Sequence, residues 1–379
     1  MPQPLGHTFH TSSWGLVEIE RLLTHVMRTV RLLGTVVPCN VHEERKRMLD
    51  AFEAGKKMTP RWTYARVDHA HLRRALDGAA HWLDQRTHPI AELYAARARE
   101  LEIEAALVSA TGTTAFGALA RARFCSAVAR DATILARQWI TDGCRASPAH
   151  SHAEIESDAP TAESLLSRMR QEVSLRGLPF AVIVQPSLSA LAATGDRHIF
   201  IAPARRITKE DVERTVLHEI LAHAIPRTRA MQERHLIFQI GTARGVDHQE
   251  GLALVLEERH GFLTPRRKSE LAVRHFAVLA MDDGAEFHDT VKALVNEHGQ
   301  VPYQAILTAE RAFRGGDGIS PGLGRERIYL ESFVDVHNHL AKHPTDEAIL
   351  MSGQVSVDAI ATLAPLLTFP LQDRAWEGT

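Results

Sequence analysis

The chain has 379 residues, more than a typical single small domain, so length alone leads to an expectation of two or three units of ordinary size. Lys plus Arg number 44 against 46 for Asp plus Glu, a near-neutral balance that argues against nucleic acid or an anionic membrane as a partner held by long-range attraction. Hydrophobic residues at 45% allow a large core, and three scattered cysteines, Cys39, Cys125 and Cys144, indicate neither a disulfide framework nor a cysteine zinc site.

From the start, Met1–His7 lacks a basic stretch followed by an apolar core, and no run of about 18 apolar residues occurs anywhere, so a soluble, cytoplasmic protein without a membrane span is expected. Leu16, Ile19, Leu22, Leu23, Val26, Val30, Leu32 and Leu33 recur at near-helical period, a first amphipathic helix over 16–36 that Pro38 closes. Further helices are expected at 41–57, 72–83, 90–108 (started near Pro89), 116–128 and 134–140. The stretch 143–163, polar and carrying Pro148 and Pro160, reads as a loop or linker. After a helix at 162–175 come two β-rich runs, Phe180–Val184 and His198–Ala202, expected to pair. Thr208–Asp211 then reads as an N-cap with an acidic first turn, and Val212, Val216, Leu217, Ile220 and Leu221 give the next helix its apolar face up to an end at Pro226. Beyond Glu250 the pattern is again helical through 271–281, 287–297 and 305–313, followed by a glycine-rich loop at 314–324, a helix at 327–340 and a tail with a helix at 356–367.

Within the helix that Thr208 starts, His218-Glu219-Ile220-Leu221-Ala222-His223 gathers two imidazoles and a carboxylate. Zinc hydrolases of the H-E-x-x-H type space the histidines by four, on one helical face. Here the spacing is five. Four steps return a side chain to about 40° from its starting azimuth, whereas five carry it to about 140°. Either the match is accidental, or the helix widens into a π-type turn whose i to i+5 geometry brings His218 and His223 together. The downstream stretch Gln249-Glu250-Gly251-Leu252-Ala253 favours the second, with Glu250 as third ligand, because two His and one Glu with an open fourth position form a standard catalytic zinc set. Zn2+ is thus the expected cofactor, with Gly251 leaving room around it. Glu219, beside the first ligand, is the expected base that takes a proton from water and passes it to the departing amine. In zincins an edge strand upstream of the metal helix commonly holds extended substrate, and His198–Ala202 is placed for that role or for a purely structural one.

H-E-x-x-x-H together with Q-E-G-L-A resembles the microtubule-associated tyrosine carboxypeptidase (MATCAP) family, whose bacterial members are often labelled QEGLA-motif proteins. Val37-Pro38-Cys39-Asn40, Pro60-Arg61-Trp62-Thr63-Tyr64, Glu92-Leu93-Tyr94, Ala312-Phe313-Arg314-Gly315-Gly316 and Ile328-Tyr329-Leu330 resemble family landmarks in family order, so the likeness runs from about 16 to 345 and leaves the tail outside. The resemblance implies an α+β, mainly α fold with a zincin-like metallopeptidase core, a small β-sheet beside the H-E-x-x-x-H helix and a helical N-terminal region. The expected division is 1–145, 146–345 and a tail at 346–379. The implied activity is zinc-dependent removal of a C-terminal aromatic residue, Tyr or Phe, from a peptide or protein.

A carboxypeptidase also needs a cation or strong donors for the terminal carboxylate. Where the family typically has a glycine-rich Thr-Lys-Asp sequence, this chain has Gly322-Leu323-Gly324-Arg325-Glu326-Arg327-Ile328-Tyr329, with Arg325 in place of lysine. Arg325 and Tyr329 are therefore the candidate substrate-binding residues, and Arg314 reads as a loop anchor. The departure leaves an alternative open: a zinc-binding hydrolase or regulatory module acting on a peptide or amide in a biosynthetic pathway. The His69/His71, His150/His152 and His337/His339 pairs do not read as metal sites, and Arg205-Arg206 and Arg266-Arg267-Lys268 read as solvated. Asp247-His248 reads as a solvated turn or as outer support to the zinc. Glu257-Glu258 lie two turns past Glu250, too far to hold the ammonium of a single residue.

Overall fold

A computed structural model describes residues 15–145, 153–186 and 188–368. The helices in chain order are α1 (Leu16–Thr29), α2 (Leu32–Thr35), α3 (Val41–Glu53), α4 (Ala70–Asp84), α5 (Pro89–Ala110), α6 (Phe116–Phe124), α7 (Ala129–Arg145), α8 (Leu165–Leu175) and α9 (Lys209–Leu217). A π-helical turn, His218–Ala224, joins α9 to α10 (Ile225–Ala230), and α11 (Ile237–Ile240), α12 (Gly245–Arg259), α13 (Pro265–Asp282), α14 (Phe287–Asn296) and α15 (Pro302–Phe313) follow. The chain continues through α16 (Ile328–Lys342), α17 (Glu347–Leu350) and α18 (Ile360–Leu363), and its strands are β1 (Glu154–Glu156), β2 (Ala181–Val184), β3 (Ala192–Thr194), β4 (His198–Ile201) and β5 (Arg206–Thr208). The fold is mainly helical with small sheets, and among the described residues no helix is long and apolar enough to cross a membrane.

The chain forms two compact units, each built from two separate stretches: Met1–Ser126 with Val273–Arg327, and Ala127–Ala272 with Ile328–Thr379. Residues 273–327, which the expected serial division places with the catalytic core, fall in the first of these.

In the first unit the apolar stripe of α1 buries Ile19, Leu22, Leu23 and Val26, at i, i+3, i+4 and i+7, against α4 and α5. Pro89 opens α5 where its missing N–H costs nothing, and the His88 side chain caps by accepting the Ile90 N–H. Three of the family-like landmarks are clamps between chain segments. Asn40 Nδ2 donates to the Arg61 carbonyl at 2.9 Å, Asn40 Oδ1 accepts the Thr63 N–H at 3.0 Å, and the Tyr64 hydroxyl accepts the Gly315 N–H at 2.9 Å. Gly315 has φ 86°, and a Cβ there would lie 2.4 Å from the Phe116 ring, so both conformation and space demand glycine.

The second unit holds both sheets. β2 pairs with β4 in parallel and β3 with β4 antiparallel, giving the order β2-β4-β3, while β1 and β5 form an antiparallel pair. The two expected strands do pair, yet β4 is central, with both edges occupied, so β2 and β3 stand at the edges. The expected loop at 143–163 contains β1, registered with Glu154 opposite Thr208; residues 146–152, His150 and His152 among them, lie outside the described residues.

α12 is buried along most of its length and packs most extensively against α16. The helices meet so closely that a Cβ at Gly251 would lie 2.3 Å from the Ser332 carbonyl oxygen. Gly251 therefore serves the helix crossing, not room around a metal. The tail, over its described residues to 368, is built into the same unit rather than hanging from it. Its expected helix at 356–367 is broken into short 3-10 and α turns, with Ile349, Leu350, Val355, Ile360 and Leu363 buried. The Gln354 carbonyl accepts the Thr242 N–H at 2.9 Å, and the Val357 N–H donates to His248 Nδ1 at 2.8 Å, which fixes the start of α12.

Gly251→Ala should lower stability by about 1–3 kcal/mol or more, because the obstacle is backbone and cannot rotate away. Gly34→Ala, where a Cβ meets nothing within 4 Å, should change it by less than about 0.5 kcal/mol. Denaturant unfolding of the two variants checks the contrast, and equal stabilities would refute the close crossing.

Candidate metal centre

α9 begins on the capping box that the sequence signals: Thr208 Oγ1 accepts the Asp211 N–H at 3.1 Å, and Asp211 Oδ2 accepts the Thr208 N–H at 3.4 Å. Its apolar face buries Val212, Val216 and Leu217. From His218 the helix widens into the π turn, where the Ile225 N–H reaches back five residues to the Ile220 carbonyl. The rings of His218 and His223 consequently stand 5.0 Å apart, centroid to centroid. The helix does not end at Pro226 but runs on to Ala230. A proline inside a regular helix loses a bond and collides with the carbonyl four residues back; here it follows the wide turn, where that ladder is already interrupted.

α12 packs across the π turn and brings in Glu250. One donor atom from each of His218, His223 and Glu250 lies within 4.8 Å of the others, and no other such group of His, Cys, Asp or Glu occurs among the described residues. Nε2 of His218 is 3.5 Å, and Nε2 of His223 4.0 Å, from Glu250 Oε2. Both outer nitrogens are engaged: His218 Nδ1 lies 2.8 Å from Glu257 Oε1, and His223 Nδ1 lies 3.1 Å from Gln249 Oε1. Acceptors at Nδ1 place the ring protons there and turn the Nε2 lone pairs inward, so the donor set fits a zinc ion.

Burial alone would lower the pKa of His218, but its hydrogen bonds to Glu250 and Glu257 outweigh this and raise it to about 10 in the metal-free chain. Burial pushes Glu257 up, and the charge of Arg267 with the His218 and Arg214 contacts overrides that, bringing it to about 2. Glu219 is buried, and its Oε2 accepts a hydrogen bond from Thr194 Oγ1 at 2.8 Å. Thr194 closes edge strand β3, so the expected base and the sheet edge are in contact.

Several polar residues that read as solvated are buried parts of this unit. Arg267 is 8% exposed, with Nε 3.1 Å from Glu257 Oε2, while His248 is 1% exposed, with Nε2 3.2 Å from Asp335 Oδ2. Asp247 is likewise buried rather than in a solvated turn. Glu257, set aside as too distant, lies on the far side of His218. The signal that would have found it is the i, i+7 spacing from Glu250, which keeps both on one helix face. Gln249 was legible only as part of its motif, and Thr194 carried no signal.

The expected substrate residues belong to different units. Arg325 lies in the first, buried in a 3-10 turn, Arg325–Arg327, rather than in an open loop, and its charge reaches Arg314 and Glu326. Arg311 Nη1 is 3.2 Å from Glu326 Oε1 in the same cluster. Tyr329 lies in the second unit, half-buried on the first turn of α16 and near Arg267.

Compared with protein families, the chain matches the microtubule-associated tyrosine carboxypeptidase family over residues 50–373. The chain belongs to that family. Membership implies a tyrosine carboxypeptidase activity and a peptide or protein substrate. The match takes in the tail to residue 373, which the sequence reading left out, and begins after the Val37–Asn40 landmark. No curated protein matches the chain.

A cation taking Nε2 of His218 must displace the proton that Nε2 shares with Glu250, while Glu257 holds the Nδ1 proton, and the sign is fixed by a pKa raised to about 10. Affinity for zinc or cobalt should rise by about tenfold per pH unit between about pH 6 and pH 8. Competition with a chelator at several pH values, corrected for the chelator's own protonation, checks this. A flat profile would contradict the double carboxylate contact.

Proposed function

We propose that this member of the tyrosine carboxypeptidase family is a zinc metallopeptidase with a zincin-like core, releasing one C-terminal residue, Tyr or Phe, from a peptide or protein. The observation that carries the reading is the convergence of His218, His223 and Glu250 at one point with Glu219 beside them. Zinc held by those three residues supplies Lewis acidity, for water and for the scissile carbonyl.

The rest is done by the chain's own groups. Thr194 holds Glu219 Oε2, which leaves Oε1 to take a proton from the attacking water. As the new C–O bond forms and the C–N bond breaks, the same carboxyl gives that proton to the departing amine nitrogen. Edge strand β3 accepts the substrate as an added strand, in place of the central strand expected from sequence, and its contact with Glu219 sets the scissile bond against the base. The terminal carboxylate requires a cation or backbone donors, and of the two residues expected for it Tyr329 lies in the same unit as the three ligands.

Glu219→Gln preserves size and hydrogen bonding but removes the base, so it should keep zinc and lose turnover by about 100-fold or more. Mass spectrometry after incubation with peptides ending in Tyr or Phe should show loss of that one residue, with little or no cleavage once the C-terminus is amidated. Equal cleavage of free-acid and amidated peptides would exclude carboxypeptidase action and favour a hydrolase of internal amides.

A further inference from the structure

The imidazole of His218 is held between two carboxylates of a single helix. Glu250 and Glu257 are seven residues apart on α12, two turns and about 10 Å along its axis, which puts them within about 20° of the same azimuth. Nε2 of the ring is 3.5 Å from Glu250 Oε2, and Nδ1 is 2.8 Å from Glu257 Oε1. The two contacts are chemically different. Glu250 faces the partner histidine, whereas Glu257 is 0% exposed and behind the ring.

A carboxylate that deep needs compensation, since an isolated buried charge is strongly disfavoured. It comes from two arginines. Arg267, in the first turn of α13, places Nε 3.1 Å from Oε2 and Nη2 3.4 Å from Oε1, and Arg214, one turn before His218 on α9, places Nη1 3.8 Å from Oε1. Arg214 is itself shared with Asp211 at 3.5 Å. His223 has no such ionic support, because its Nδ1 meets the neutral amide of Gln249 at 3.1 Å.

We propose that Glu257 is a positioning residue for the metal centre: secured by Arg267 and Arg214, it accepts the Nδ1–H of His218 and thereby fixes the ring's tautomer and aim, with Nε2 toward the metal. An ionised carboxylate has no proton to give, so Nδ1 is the donor, and once the ring is neutral it is Nε2 that holds the lone pair. The strong, charge-assisted contact also makes the imidazole a better ligand. This inference rests on the zinc reading of the same site.

Zinc affinity by chelator competition, the absorption spectrum of the cobalt-loaded protein and the metal-free unfolding midpoint together form the test. Glu257→Gln should weaken zinc binding by about 10-fold, since a neutral acceptor remains. The double variant Glu257→Leu/Arg267→Met removes both buried charges, a replacement proteins often tolerate, and leaves Arg214 paired with Asp211. It should keep the parent's midpoint approximately, lose up to about 100-fold in zinc affinity and show an altered cobalt spectrum. Parent-like affinity and spectrum in a folded double variant would overturn the proposal. If the double variant fails to fold, Glu257→Gln decides alone, and unchanged affinity there overturns it too. A parent protein that takes up no zinc would instead overturn the metal reading, and this inference with it.

Discussion

A regular α-helix cannot present two side chains five residues apart to one point, and everything at the centre depends on how this chain escapes that limit. The turn from His218 to Ala224 is π-helical, so the two imidazoles meet at the cost of the regular ladder between α9 and α10. A wide turn is not self-supporting. It is covered by α12 on one side and β3 on another, and α12 is in turn held by the close crossing with α16 at Gly251 and by the tail at Thr242 and His248. The ligands therefore sit on packed helical elements rather than on loops, an arrangement that holds a functional geometry tightly.

The electrostatics follow from the same packing. Glu219, Glu250 and Glu257 are gathered into a small buried volume, and each has a defined answer: the Thr194 hydroxyl, the two inward imidazole nitrogens, and the Arg267 and Arg214 guanidinium groups. Without a metal the inward proton on His218 neutralises part of this charge. In the proposed zinc-bound state a divalent cation would replace that proton with a larger charge at the same place.

What was legible in the sequence is what local spacing encodes. The capping box at Thr208, the apolar face of α9 and the need for a π turn all rest on residues a few positions apart. What stayed hidden depends on partners remote in sequence. Strand order put β4 in the centre and β2 and β3 at the edges, and no local pattern distinguishes those places. Gly251 looked like a residue making room for a metal because its real neighbour, Ser332, lies 81 positions away in the sequence. Arg267 and His248 read as solvated because their burial comes from Glu257, Asp335 and the tail. The tail itself, short of long periodic helix, gave no sign of being part of a core.

The central claim is that His218, His223 and Glu250 jointly hold one zinc. Metal analysis of the purified parent and of His218→Ala, His223→Ala and Glu250→Ala, each checked for folding, tests it directly. The account predicts about one zinc per parent chain and markedly less in each folded variant. Three variants as zinc-rich as the parent would contradict it.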